Sequence, residues 1–186
     1  MDRARCEPAM NAMVLPMSAI HVCPLSRLSA TVETAEASHI VSLMGAGTVV
    51  MRPPPVRSEC HLLIRMSDIV APLEGHILPA KEHVDKLVEF VRAWPREKPM
   101  VIHCFAGISR STAAALIAAC VVNPERDPVA IATALREASP TATPNIRFIE
   151  VADARLGYDG RLIAAATGIG RGQEAFEAEP FILALG

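Results

Sequence analysis

The chain has 186 residues, 51% hydrophobic but only 4% aromatic, and its 18 basic and 20 acidic residues leave a net charge of −2. That balance excludes a general attraction to nucleic acid or to an anionic membrane, so any anion site must be built locally. No apolar run reaches the roughly 18–20 residues of a membrane span, and the length suits one domain with an aliphatic α/β core.

Residues 1–17 read as a ragged tail. Pro8 and Pro16 break its apolar part, so no signal peptide is expected, and Met17 would make a tidy start. "AIHVCPL" (Ala19–Leu25) is a short strand closed by Pro24, and "SRLSATVETAEA" a helix with Ser26 as its candidate cap. "SHIVSLMG" is a second strand. Gly45 and Gly47 after it lack the third glycine and the helix of a dinucleotide site. Pro53, Pro54 and Pro55 make the next segment a stiff connector. "CHLLIRM" is a third strand, followed by a loop punctuated by Pro72, Gly75 and Pro79. Val84, Leu87, Val88 and Val91 form the apolar stripe of an amphipathic helix that Pro95 stops.

"PMVIHC" is a fourth strand, apolar enough to be buried on both faces. A buried helix runs from about Ser109 to Val122. Asp127-Pro128 starts another, and Thr143-Pro144 repeats that device before a helix ended by Gly157. The glycines of residues 158–186 argue against one long helix there. The expected fold is α/β: a small, mostly parallel sheet of four or five strands with helices on both faces, divided as a tail (1–17), a catalytic domain (18–158) and a C-terminal extension (159–186) packed on or beside it.

The chemistry is concentrated in "HCFAGISRS", His103 to Ser111, between the fourth strand and the buried helix. Backbone N–H groups in a tight loop at a helix N-terminus make a concave anion site. Gly107 lets the chain turn, and Phe105, Ala106, Ile108 and Ser109 need supply only N–H groups. Arg110 can grip two phosphate oxygens with its planar fork. Cys104 lies at the floor, where the helix end and Arg110 favour thiolate, placed for in-line attack on phosphorus. Ser111 can donate to the sulfur or merely cap the helix. His103 is expected to hydrogen-bond loop backbone and steady the cradle without moving protons.

This stretch resembles the HC-x5-R-(S/T) signature of cysteine-dependent protein tyrosine phosphatases, and its Ala-Gly and Ser-Arg-Ser elements are most similar to the dual-specificity branch. With "IHVCPLSRL", "IVSLM" and "SDI", the span from Ala19 to Leu156 resembles small bacterial tyrosine phosphatases of that kind. The resemblance implies an aspartate general acid on a loop upstream of the cysteine. Asp68, 36 positions before Cys104, is the positional match, with Glu74 as fallback. No Trp-Pro-Asp motif of the large tyrosine phosphatases is present. "PNIRFIE" resembles the helix start behind the phosphate loop, where Asn145 could touch the site, and Arg136 is a weaker candidate for substrate contact.

The reaction so implied is phosphomonoester hydrolysis through a phosphocysteine, on a phosphorylated protein or small phosphomonoester, with no metal, cofactor, nucleic acid or membrane. The absence of lysine from Phe105–Ser109 argues against highly charged substrates. Readings as a lipid or small-molecule phosphatase, a rhodanese-like sulfur carrier or a non-catalytic phospho-binding module stay open. The five cysteines (Cys6, Cys23, Cys60, Cys104 and Cys120) show no CxxC spacing, so neither zinc nor a disulfide framework is indicated. Cys23, Cys60 and Cys120 read as core, and the expected setting is a reducing cytoplasm.

Overall fold

The computed structural model describes residues 19–185. The expectations for the tail at 1–17 and for Met17, together with Cys6, lie outside the described residues. The strands are β1 (Ala19–Pro24), β2 (His39–Met44), β3 (His61–Arg65), β4 (Met100–Cys104) and β5 (Phe181–Ala184). The helices are α1 (Leu28–Ala35), α2 (Lys81–Ala93), α3 (Arg110–Val122), α4 (Pro128–Ala138), α5 (Ile146–Leu156) and α6 (Arg161–Gly168). One sheet runs in the order β3-β2-β4-β1-β5. The first four strands are parallel, with Ile102 of central β4 opposite both Val22 of β1 and Val41 of β2. β5 lies antiparallel outside β1, Phe181 opposite Val22. The loops that leave β2, β3 and β4 therefore gather at one edge, and the segment entering β5 arrives at that same edge.

Side chains alternate across a strand, and β4 shows the consequence. Met100, Ile102 and Cys104 join a large core with α2 to α6. Val101 faces a smaller one, made with Leu28 and Val32 of α1 and with Val56 of the proline connector. The expected α/β fold, with helices on both faces, is the one observed, five helices on one face and one on the other. In α3 every residue from Arg110 to Cys120 is buried. Its run of alanines lets neighbouring backbones approach on all sides.

Several local expectations differ. Ser26 does not cap α1: the cap position is Arg27, without a side-chain bond, and Ser26 Oγ donates to Glu177 instead (2.7 Å). Asp127 does cap α4, but the corresponding role ahead of α5 belongs to Asn145, whose Oδ1 accepts from Phe148 N at 3.0 Å. From residue 159 on, α6 enters the large core and β5 extends the sheet.

α6 is eight residues long with no cap side chain of its own. Asp153, buried on α5, takes its place. Its Oδ1 accepts from Gly160 N (2.8 Å) and its Oδ2 from Leu162 N (2.9 Å) and Ile163 N (3.3 Å). Asp153→Ala would leave buried amides unpaired, costing about 2 kcal/mol. A thermal melt should then show Tm lowered by about 4–8 °C for a chain of this size.

Candidate active site

β4 delivers Cys104 to the carboxyl edge of the sheet and α3 begins at Arg110, so residues 105–109 must turn tightly between them. The turn is held from outside. Carbonyls of the loop accept from amides of other segments: Phe105 O from Leu25 N (3.0 Å), Ala106 O from Ala178 N (2.8 Å), Ile108 O from Thr143 N (3.0 Å) and Ser109 O from Asn145 N (3.3 Å). No peptide bond among the described residues is cis. In a planar trans unit the carbonyl and the next N–H point opposite ways. With these carbonyls drawn outward, the amides of Ala106, Gly107, Ser109 and Arg110 turn to the inside of the loop.

Gly107 shows why this position takes no side chain. Its φ is +75°, and a Cβ would sit 2.8 Å from Pro24 N and 3.0 Å from the Cys23 carbonyl carbon, backbone that cannot give way. Its amide donates to Cys104 Sγ at 3.3 Å. Ser111 Oγ lies 3.1 Å from the same sulfur. The thiol is thus buried at the floor of the loop, with the Gly107 amide directed at it and the Ser111 hydroxyl within hydrogen-bond reach. Burial pushes the thiols of Cys23 and Cys120 up to about 12, which keeps them protonated.

Arg110 is buried, with Nη1 donating to Met66 O (3.2 Å). Its Nε has no hydrogen-bond partner and lies 3.8 Å from Asp68 Oδ2. A buried guanidinium donor left unpaired is costly, and an oxyanion in the loop would satisfy it. Asp68 projects from the loop after β3 and is held by two side chains: Ser109 Oγ donates to its Oδ1 at 2.6 Å and Asn145 Nδ2 at 2.7 Å. Asn145 therefore does two jobs, one end capping α5 and the other fixing Asp68. Glu74 is exposed on the same loop and does not line the cleft. The cleft itself, about 320 Å³, is walled by Met44–Ala46, Thr48, Ser67–Asp68, Gly75–His76, Phe105 and Arg110. Arg65 pins one wall by donating to Gly45 O and Thr48 O. A larger groove, about 680 Å³, opens near the start of β2, away from the cysteine loop.

His103 lies on the opposite face of β4 from Cys104 and is fully buried. Its Nδ1 is 3.3 Å from Cys104 O, its Nε2 2.6 Å from Ser42 Oγ, and Ser42 Oγ is 2.7 Å from His61 Nε2. For neutral rings one proton arrangement satisfies all three contacts. His61 Nε2–H donates to Ser42, Ser42 O–H donates to His103 Nε2, and His103 Nδ1–H donates to the Cys104 carbonyl. Burial drives the His103 ring down to about 4, and the charges of His61 and Arg110 push the same way. Arg136, a candidate for substrate contact, is instead a structural clamp. Its guanidinium donates to the carbonyls of Ser139, Pro140, Ala142, Ile169 and Gly170.

The protein-tyrosine phosphatase family profile matches residues 74–143, which include the whole cysteine loop. Over that span the chain is similar to protein-tyrosine phosphatases. Asp68 lies just upstream of the matched span. The fold is similar to the PTP-2 phosphatase of Cydia pomonella (18% identity, covering 73% of this chain and 84% of that one, TM-score 0.57). It is equally similar to human DUSP28 (16% identity, 79% and 96%, TM-score 0.58). A third solved structure, the human tyrosine phosphatase-like serine/threonine/tyrosine-interacting protein, is 13% identical (77% and 98%, TM-score 0.57). The search of curated proteins returned no match.

Ser42, His61 and the Ala178 amide are the parts of the site that sequence reasoning missed, because each reaches the loop from a separate segment. Two outcomes follow from the geometry. Gly107→Ala should destabilise the fold by at least about 2 kcal/mol, because φ strain and a backbone clash coincide, which a urea midpoint at neutral pH measures. The second concerns pH. The unfolded His103 ring takes a proton near pH 6.5, whereas the folded ring resists until about 4. Its contribution is therefore nil above about pH 6.5, and stability is lost as pH falls from there toward 4, by roughly 3 kcal/mol. His21, His39, His61 and His83 are shifted downward too, chiefly by burial, and add to the same slope. Urea midpoints between pH 7.5 and 4.5 should fall steeply in the wild type and less steeply in His103→Gln; equal slopes would contradict the assignment.

Proposed function

We propose that the protein hydrolyses phosphomonoesters of phosphorylated proteins, as a tyrosine or dual-specificity phosphatase working through a phosphocysteine at Cys104. The observation that carries this reading is the convergence of a buried thiol, inward-turned amides, the unpartnered Arg110 Nε and Asp68 on one small loop. The phosphate enters the loop, where the amides and Arg110 hold its oxygens. The Cys104 thiolate attacks phosphorus in line as the bond to the leaving oxygen breaks, and protonated Asp68 gives its proton to that oxygen. Ser111 donates to the sulfur when it leaves again. Water attacks the phosphocysteine with Asp68, now a carboxylate, taking its proton, and inorganic phosphate departs. The charge spread over three oxygens in both steps is met by donors already in place, the main source of rate in such a site. His103 and Ser42 position the end of β4 and take no proton.

A rhodanese-like role is disfavoured because it has no use for an aspartate held over the loop by two hydrogen bonds. A lipid or small-molecule substrate of high charge is disfavoured by the lining, in which Arg110 is the sole Arg or Lys. No helix of the described residues is long and apolar enough to cross a membrane. The four described cysteines are free and buried, and a nucleophilic thiol needs a reducing compartment, which supports the cytoplasm as its place.

The test is hydrolysis of p-nitrophenyl phosphate and of a phosphotyrosine peptide without added metal. Cys104→Ser should abolish both. Asp68→Asn should lower kcat on phosphotyrosine by about 10²–10⁴-fold, and less on p-nitrophenyl phosphate, whose leaving group needs little protonation. Because the acid must hold its proton, wild-type kcat should fall toward high pH, and that fall should vanish in Asp68→Asn. Full activity in Cys104→Ser would overturn the reading.

A further inference from the structure

The edge of the sheet that holds the catalytic loop is also where apolar side chains meet solvent. Seven of the ten large hydrophobic residues exposed among the described residues lie on the loops that leave or enter it. Val49 (77% exposed) and Met51 (80%) are on the connection after β2; Val70, Leu73 (55%) and Ile77 are on the loop that carries Asp68. Phe105 projects half-exposed from the cysteine loop itself, and Phe176 (85%) stands on the segment that Ala178 N ties to Ala106 O. Surface apolar residues scattered singly need no explanation, but a concentration of them on the loops beside one concave site marks a binding surface.

Charge on the same rim narrows what it binds. The carboxylates outside ion pairs include Glu74 on the Asp68 loop and Glu179 before β5, both exposed. The arginines of these segments are engaged: Arg52 on the Val56 carbonyl, Arg57 on Glu59 and Arg171 on Glu174. An anionic membrane or a multiply phosphorylated headgroup would meet repulsion, with only Arg110 and Arg27 to compensate it. An apolar polypeptide segment would not. The cleft walls from Met44, Ala46 and Phe105 suit an aromatic ring beside Arg110 and Asp68.

We propose that this rim reads the residues beside the phosphorylated side chain, and that the substrate is a phosphotyrosine polypeptide whose neighbours are apolar and not acidic, with Met51 and Leu73 as selecting side chains. The proposal rests on the phosphatase reading above.

The experiment uses two phosphotyrosine peptides of equal length, one flanked by Leu and Val and the other by Glu and Asp. Both are assayed beside p-nitrophenyl phosphate with the wild type, Met51→Ser, Leu73→Ser and the double variant. Both side chains are exposed, so folding is preserved, and thermal melts verify it. The wild type should favour the apolar peptide by about 10-fold or more in kcat/KM, the scale of burying one or two apolar side chains. The double variant should lose most of that preference through KM, with p-nitrophenyl phosphate turnover unchanged within about twofold. Equal or reversed peptide preference with normal p-nitrophenyl phosphate turnover overturns this proposal alone. Sedimentation with phosphatidylcholine vesicles that the double variant abolishes, without any peptide preference, also overturns it and makes the rim a membrane face. Absence of p-nitrophenyl phosphate turnover in the folded wild type overturns the phosphatase reading and this proposal together.

Discussion

The site depends on an outward pull on the carbonyls of one five-residue loop. A loop between a buried strand and a buried helix has backbone groups that must all be paired. Here the carbonyls of Phe105, Ala106, Ile108 and Ser109 are taken by amides from after β1, before β5 and before α5. The consequence is inward-facing N–H groups before any ligand arrives, at the positive end of α3. That preorganisation gives an electrostatic site its strength, because little reorganisation is left for the reaction itself. It also explains why the fold extends past α5. α6 and the Arg136 clamp hold residues 169–170, from which the chain runs on to donate the Ala178 amide to the loop.

The same loop sets the position of the aspartate. Asp68 stands on a different strand's loop, yet both of its restraints come from the loop region: Ser109 from within it and Asn145 from the helix packed behind it. Cys104, the inward-facing amides and Asp68 are thus three parts of one hydrogen-bonded unit. His103 extends it through the sheet to Ser42 and His61, fixing the Cys104 carbonyl from the far face. This is a buried polar chain with each member satisfied, a state in which such networks rigidify their surroundings.

What was legible in the sequence was local. Cys104, Gly107, Arg110 and Ser111 are fixed relative to one another by a strand, a turn and a helix, so spacing alone carries their geometry. Asp68 was reachable only through resemblance, since nothing in its own surroundings marks a loop aspartate as facing a cysteine 36 residues on. Asn145 was half-legible. It stands at an ordinary helix cap, the motif Pro-Asn sits before an apolar run, and its second hydrogen bond is nonlocal. α6 and β5 were illegible for physical reasons. The helix is eight residues long and capped from Asp153 on another helix, and the strand is four residues at an edge, too short for alternation to register. Arg136 misled because a lone arginine near a turn reads the same whether it meets substrate or carbonyls.

The central claim is that phosphate passes through a bond to Cys104. The most direct measurement is acid quenching of the enzyme during turnover of an aryl phosphate, followed by mass spectrometry of the peptide that carries this residue. The account predicts one added phosphoryl group on that peptide, localised to the cysteine and absent in Cys104→Ser. Steady turnover with no covalent phosphoenzyme, or a phosphoryl group on a serine or histidine instead, would contradict it.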